Sequence, residues 1–208
     1  MIICGGCVVK EKIRLKNGTI IGKINISYGK GTRSMEILDI YDINRMPTGR
    51  TFVRGTKPEG GYYLVAQVIV FNTKGQMLIQ QRQAHKLGWP NRWDVSAGGS
   101  VQAGETSQQA AQRELREELG LSADFTGVRP HVCSTFTEGF TDVYILNREV
   151  NLSRLTLQTE EVQAVRWANR EQVLHMIEDD TFIPYYPGWI AYLFDTHEQY
   201  GSFRRAGY

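Results

Sequence analysis

Residues 99–121 read GSVQAGETSQQAAQRELREELGL. Both ends and two faces of a helix are legible in that stretch. Thr106 suits an N-cap, with Gln109 three residues on to complete a reciprocal capping box. Gly120 suits the left-handed residue that stops a helix. Between them Ala111, Leu115 and Leu119 recur at i, i+4 and i+8 and form one apolar row to bury. Glu114, Glu117 and Glu118 stand at i, i+3 and i+4, so their carboxylates share another face. Like charges at those spacings cost a few tenths of a kcal/mol per pair. Such a run most often marks a solvated face. A hard divalent cation is the other reading, because Mg²⁺ and Mn²⁺ take carboxylate and water oxygens.

The spacing favours the cation. Gly99 is followed after five residues by Glu105, after seven more by Arg113-Glu114-Leu115, then by Glu117-Glu118 and Gly120-Leu121. All nine defined positions resemble the Nudix box. At average residue frequencies, a chance match in a chain of this length has a probability on the order of 1e-8 to 1e-7. The flanking pattern extends the resemblance from about Glu36 to the region of Ile183. It implies an α+β protein, an α/β/α sandwich with a mixed sheet and the box as loop-helix-loop. It also implies a metal-dependent hydrolase of a nucleoside diphosphate linked to another moiety, with Mg²⁺ or Mn²⁺ as cofactor. A metal site neutralises the anionic oxygens of a diphosphate, lowers the pKa of a bound water and holds it in line with phosphorus. Glu117 and Glu118 are the first candidates as ligands. Glu114 is either a third ligand or the base that orients the water. The resemblance adds a backbone carbonyl ligand at Gly98 and a structural ion pair between Arg113 and Glu105.

Outward from the box, Tyr62–Phe71 is a near-continuous β-branched and aromatic run and predicts a central strand. Asn72–Gly75 is its turn and Met77–Arg82 the return strand. Arg82, Lys86 and Arg92 precede the box as candidate phosphate contacts, since cations, and above all guanidinium forks, suit phosphate oxygens. Trp89 and Trp93 lie in the same segment, with core or rim packing favoured over stacking on a base. Asp94–Ala97 predicts a short strand delivering Gly98 and Gly99. Upstream, Glu36–Arg54 predicts two strands around a turn at Met46–Gly49. Downstream, strands are predicted over 123–132, 141–146 and 161–168, a helix over 169–176 capped by Asn169, and an aromatic, amphipathic tail from Phe182. An acid from outside the box is expected to assist. Asp142 is the first candidate for it, with Glu138 and Glu161 the alternatives.

The segment around Trp93 also resembles isopentenyl diphosphate isomerase, a Nudix-fold relative that needs a cysteine just before its equivalent of the box. That position falls at Gly98, and no cysteine stands between Cys7 and Cys133. The expectation is a hydrolase from the isomerase-like branch, with a non-catalytic nucleotide-binding protein as the alternative.

The chain has 208 residues, 41% of them hydrophobic, enough for one domain with a sizeable core. A net charge of +2 gives no broad nucleic-acid footprint, and the expected partner is a small-molecule diphosphate. No apolar run is long enough to span a membrane. Three cysteines make no disulfide framework and fit a reducing, cytoplasmic setting. Homodimerisation is compatible with a domain of this kind. Residues 1–34 differ in composition from the rest of the chain. They are read as an N-terminal extension, with a native start at Met35 and the hydrolase domain over 35–208. The Cys4-Gly-Gly-Cys7 pair lacks the partners of a zinc site.

Overall fold

The computed structural model describes residues 35–201 and Phe203, together with the strand backbones that lie between residues 8 and 34. The Cys4-Gly-Gly-Cys7 pair lies outside the described residues. In chain order the elements begin with β1 (Val8–Val9), β2 (Arg14–Lys16), β3 (Thr19–Ile21), β4 (Lys23–Tyr28), β5 (Gly31–Tyr41) and β6 (Pro47–Val53). β7 (Tyr63–Phe71), β8 (Met77–Arg82), β9 (Trp93–Asp94) and β10 (Ala97–Ser100) lead into helix α1 (Ser107–Leu119). β11 (Val132–Phe136), β12 (Gly139–Asn147), β13 (Val162–Ala168), α2 (Arg170–Glu178) and α3 (Pro187–Thr196) complete the chain.

The central strand decides the layering. On β7, Leu64, Ala66, Val68 and Val70 pack with α1 through Ala110, Ala111, Leu115 and Leu119. Ile69 and Phe71 point the other way, into a second core with Val173 and Met176 of α2 and Ile190 and Leu193 of α3. Alternation along one strand thus feeds two cores, because successive side chains leave opposite faces of a sheet. Helices cover both faces and make the α/β/α sandwich. The sheet runs β11-β12-β7-β8-β13, with β10 on β7 and β9 on β8. It is mixed: β12 lies parallel to β7, while β10 and β8 are antiparallel to it.

The local chemistry works as the residues suggest. The Thr106 hydroxyl accepts from the Gln109 N–H at 3.3 Å, and Gln109 Oε1 accepts from the Thr106 N–H at 2.9 Å. Gly120 ends α1 at φ 68°, where a side chain would be strained. Asn169 caps α2 in the same reciprocal way, with Gln172.

Three elements differ from expectation. The chain over 123–131 forms no strand, and β11 begins only at Val132. Asp124 explains part of this: its Oδ1 accepts the Thr126 N–H at 2.8 Å, a local bond that competes with a ladder. The turn between β5 and β6 sits at Asp42–Arg45 and not at Met46–Gly49. Asp42 Oδ1 accepts from the N–H groups of Asn44 and Met46, an Asx-type turn that leaves Pro47 to open β6. Gly98 and Gly99 lie inside β10, not after it. The start expected at Met35 falls within β5. Among the described residues no helix is long and apolar enough to cross a membrane.

Candidate active site

Helix α1 lies against β10, and the box closes on itself there. Arg113 is its hub. Its Nε and Nη2 donate to the two oxygens of Glu105 at 2.8 and 2.9 Å, a bidentate fork. Nη2 also donates to the Ser100 carbonyl at 3.1 Å, and Nη1 to Glu114 Oε1 at 2.6 Å. Glu117 Oε2 stands 3.4 Å from that Nη1. Burial works against the charge of Arg113, but Glu105 and Glu114 outweigh it and hold the guanidinium firmly protonated.

The acidic row is not a solvated face. Glu114 and Glu118 are buried, and only Glu117 is partly open. Glu118 Oε2 accepts from Gln80 Nε2 at 2.8 Å and from the Gly98 N–H at 3.2 Å. Burial pushes the Glu114 carboxyl up, against the pull of Arg113. Burial raises Glu118 further, with Glu114 adding to it, and Gln80 and Gly98 only partly offset the shift. Both shifts express the cost of crowding like charges out of water.

Gly98 and Gly99 allow this packing. A Cβ on Gly99 would stand 2.3 Å from Glu114 Oε1. Ala97, Gly99 and Val101 face β7 in the ladder, the last donating its N–H to the Leu64 carbonyl. Gly98 and Ser100 alternate with them, so their backbone groups turn away from β7 toward the helix. The Gly98 N–H reaching Glu118 and the Ser100 carbonyl reaching Arg113 fit that rule, and the Gly98 carbonyl shares the direction of its N–H.

Among the described residues, no three His, Cys, Asp or Glu side chains converge as a ready metal cluster. Glu114 and Glu117 face Arg113 instead, and Glu118 faces Gln80 and Gly98. Their chemistry nevertheless fits a hard divalent cation. Three carboxylates, at positions 105, 114 and 117, share the Arg113 guanidinium, the fourth, Glu118, is held by Gln80 and Gly98, and every donor offered is oxygen.

A cavity of about 790 Å³ adjoins the box across Gly98, Gly99 and Ser100, a size that suits a small ligand. Arg54, Lys57 and Arg82 bring cations to its lining and Glu138 an acid, with Trp89 at the wall. Arg54 pairs with Glu36 at 2.5 Å. Burial opposes its charge, but Glu36, with Glu114 behind it, keeps it raised. On the far wall Tyr185 donates to Asp94 Oδ1 at 2.9 Å and accepts from Gln67 Nε2 at 2.9 Å. Arg82 Nη1 lies 3.5 Å from Asp94 Oδ2. Burial raises Asp94 despite Arg82, and burial together with Asp94 pushes the Tyr185 hydroxyl well up.

The residues expected outside the box divide. Arg82 lines the cavity. Lys86 stands outside its lining, paired with Glu161. Arg92 stands outside it too, paired with Asp180. Asp142 is buried under Arg45, whose Nη2 it meets at 2.5 Å, and it fastens the β5–β6 tip to the sheet. Of the three acids considered, only Glu138 reaches the cavity. Arg54, Lys57, Gln67, Asp94 and Tyr185 stand outside the expected set. Arg54-Gly-Thr-Lys57-Pro, two bases in a glycine- and proline-marked loop, is the signal available for the first two.

Comparison with known proteins agrees with this geometry. The NUDIX domain pattern matches residues 61–186. An uncharacterized Nudix hydrolase of Listeria monocytogenes is 48% identical over 153 residues, which cover 73% of this chain and 90% of that one. The crystal structure of DR0079 from Deinococcus radiodurans superposes with a TM-score of 0.60 at 28% identity, over 71% of this chain and 91% of that chain. An isopentenyl-diphosphate Delta-isomerase of Escherichia coli is 34% identical over 117 residues, 52% of this chain and 63% of its own. The chain belongs to the Nudix family, and its relatives support a hydrolase.

Proposed function

We propose that the protein is a Mg²⁺- or Mn²⁺-dependent pyrophosphohydrolase that cleaves the diphosphate linkage of a nucleoside diphosphate derivative or a related organic pyrophosphate. The observation that carries this reading is the buried pair Glu114 and Glu118, set against Gly98–Ser100 at the wall of a cavity lined by Arg54, Lys57 and Arg82. Glu114, Glu117, Glu118 and the Gly98 carbonyl are the groups that would hold the metal. When bound, it supplies charge neutralisation and a water activated for attack on phosphorus.

The chain's own residues do the rest. Arg113, forked onto Glu105 and tied to Ser100, fixes the helix against the strand and sets where Glu114 points. Arg54, Lys57 and Arg82 bind and orient the diphosphate oxygens. Glu138 takes the place of Asp142 as the outside acid, at the cavity wall.

The isomerase reading is set aside on geometry. Among the described residues Cys133 is exposed on β11, and no cysteine lines the cavity. Incubation of organic diphosphates in ¹⁸O-labelled water, with Mg²⁺, with Mn²⁺ and with chelator, tests the proposal. Metal-dependent appearance of the label in a phosphate product is expected. Unlabelled isomerised product would establish the isomerase instead. A bound diphosphate that is never cleaved would favour a non-catalytic binding protein.

A further inference from the structure

Trp89 stands in a conformation that its neighbours make costly. Its φ is 52°, and Asn91 two residues on has φ 61°. A bulky residue at positive φ is rare, and a residue before a proline, here Pro90, is driven toward extended backbone. The strain is held from several sides. Arg82 Nε donates to the Gly88 carbonyl at 3.1 Å and Gln81 Nε2 to the Asn91 carbonyl at 3.0 Å. Gln163 Nε2 reaches Asn91 Oδ1 at 2.8 Å, and the Arg92 N–H closes back on the Trp89 carbonyl at 3.3 Å. Strain maintained in this way concentrates at ligand clamps.

What the loop presents is Trp89, a residue 49% exposed while lining the cavity. Trp93, four residues on, lies under the guanidinium of Arg166 at 4.9 Å. The cavity's other rings are engaged. Tyr63 packs on Phe52 and Phe136, and the Tyr185 hydroxyl is committed to Asp94. Trp89 has no ring or cation partner among the described residues, and Arg82, which holds its loop, lines the same cavity.

We propose that Trp89 is the stacking platform for a planar aromatic ring of the substrate, so that the favoured ligand is a nucleotide and not an alkyl diphosphate. This rests on the diphosphate reading of the same cavity, with the cations taking the phosphates and the indole taking the base. The test is calorimetric titration of wild type, Trp89→Phe and Trp89→Ala with AMP and with inorganic pyrophosphate, in chelator and without turnover. Wild type is expected to bind AMP, with quenching of tryptophan fluorescence that is reduced in both variants. Trp89→Ala is expected to bind AMP roughly 5- to 150-fold more weakly, the range for loss of one base–aromatic stack. Trp89→Phe should recover part of that loss, and pyrophosphate should bind all three alike. Equal AMP binding by wild type and Trp89→Ala overturns the proposal, as does equal loss of AMP and pyrophosphate, or wild type that does not bind AMP. None of these results touches isotope incorporation, which reads the hydrolase reaction separately.

Discussion

Replacing Gly99 with alanine puts a methyl group into the acidic row. On this backbone the added Cβ would stand 2.3 Å from Oε1, 2.6 Å from Cδ and 3.0 Å from Oε2 of Glu114. Contacts that short do not survive, so the carboxylate or the strand must shift. Neither is free to do so cheaply. Glu114 is buried and held by Arg113 at 2.6 Å, and Gly99 is paired in β10 with Ala66 of β7. Overpacking a closed site of this kind costs about 1–3 kcal/mol, which for a domain of this size lowers Tm by about 2–12 °C. A shift of about 1 Å in an active-site group costs on the order of 100-fold in rate, and kcat at saturating metal is expected to fall by about that much. Gly98→Ala is the comparison. Its Cβ would meet the Ala66 carbonyl and Gln67 Cγ at 3.1 Å, a tight contact that leaves Glu114 in place, so the loss of activity should be smaller. Scanning calorimetry and steady-state rates on the two variants read both effects. Wild-type Tm and a kcat within about twofold of wild type in Gly99→Ala would refute the reasoning, because it would mean that Glu114 does not need its present seat.

The same contacts set further expected outcomes. Glu118→Gln keeps acceptors for Gln80 and Gly98 but removes a buried charge, so in chelator its Tm should rise by about 2–4 °C while turnover is lost. Calorimetry in chelator should also show wild-type stability falling as pH climbs above the ordinary carboxyl value of 4.5. A carboxyl raised by burial binds its proton more tightly folded than unfolded, so stability falls as pH climbs from the ordinary value toward the raised one and levels off above it; Glu118→Gln should flatten that slope. Arg113→Lys loses the fork to Glu105 and should reduce activity by about 10- to 100-fold, measured as kcat with KM little changed. Lys57→Ala should raise KM for the diphosphate by about threefold or more, as loss of one charged phosphate contact does, whereas Lys86→Ala should leave KM unchanged because Lys86 stands outside the cavity lining.

Local rules carry far in this chain. The capping box at Thr106, the stop at Gly120 and the buried row of Ala111, Leu115 and Leu119 are decided by neighbours within one or two turns, so they are legible in the letters. The same holds for the alternation of β7. The partners of Lys86, Arg92 and Asp142 are not local. Each meets an opposite charge more than 70 residues away in sequence, and no spacing rule announces such a pair. Burial of Glu114 and Glu118 is hidden for a related reason. Periodicity places three carboxylates on one face, but only the approach of β10, which the glycines permit, shows that two of them leave water. Asp94 and Tyr185 meet across 91 residues and become a cavity wall only once β9 and the segment before α3 are brought together.

The central claim is that the acids of α1, with Gly98, form the metal centre that cleaves a diphosphate. Its most direct test is Mn²⁺ titration followed by paramagnetic resonance in wild type and in Glu118→Gln, with phosphate release measured on the same samples. Wild type is expected to take up Mn²⁺ and release phosphate in proportion to its occupancy, and Glu118→Gln to lose both together. Phosphate release that persists in chelator, or Mn²⁺ bound equally by the two proteins, would contradict the account.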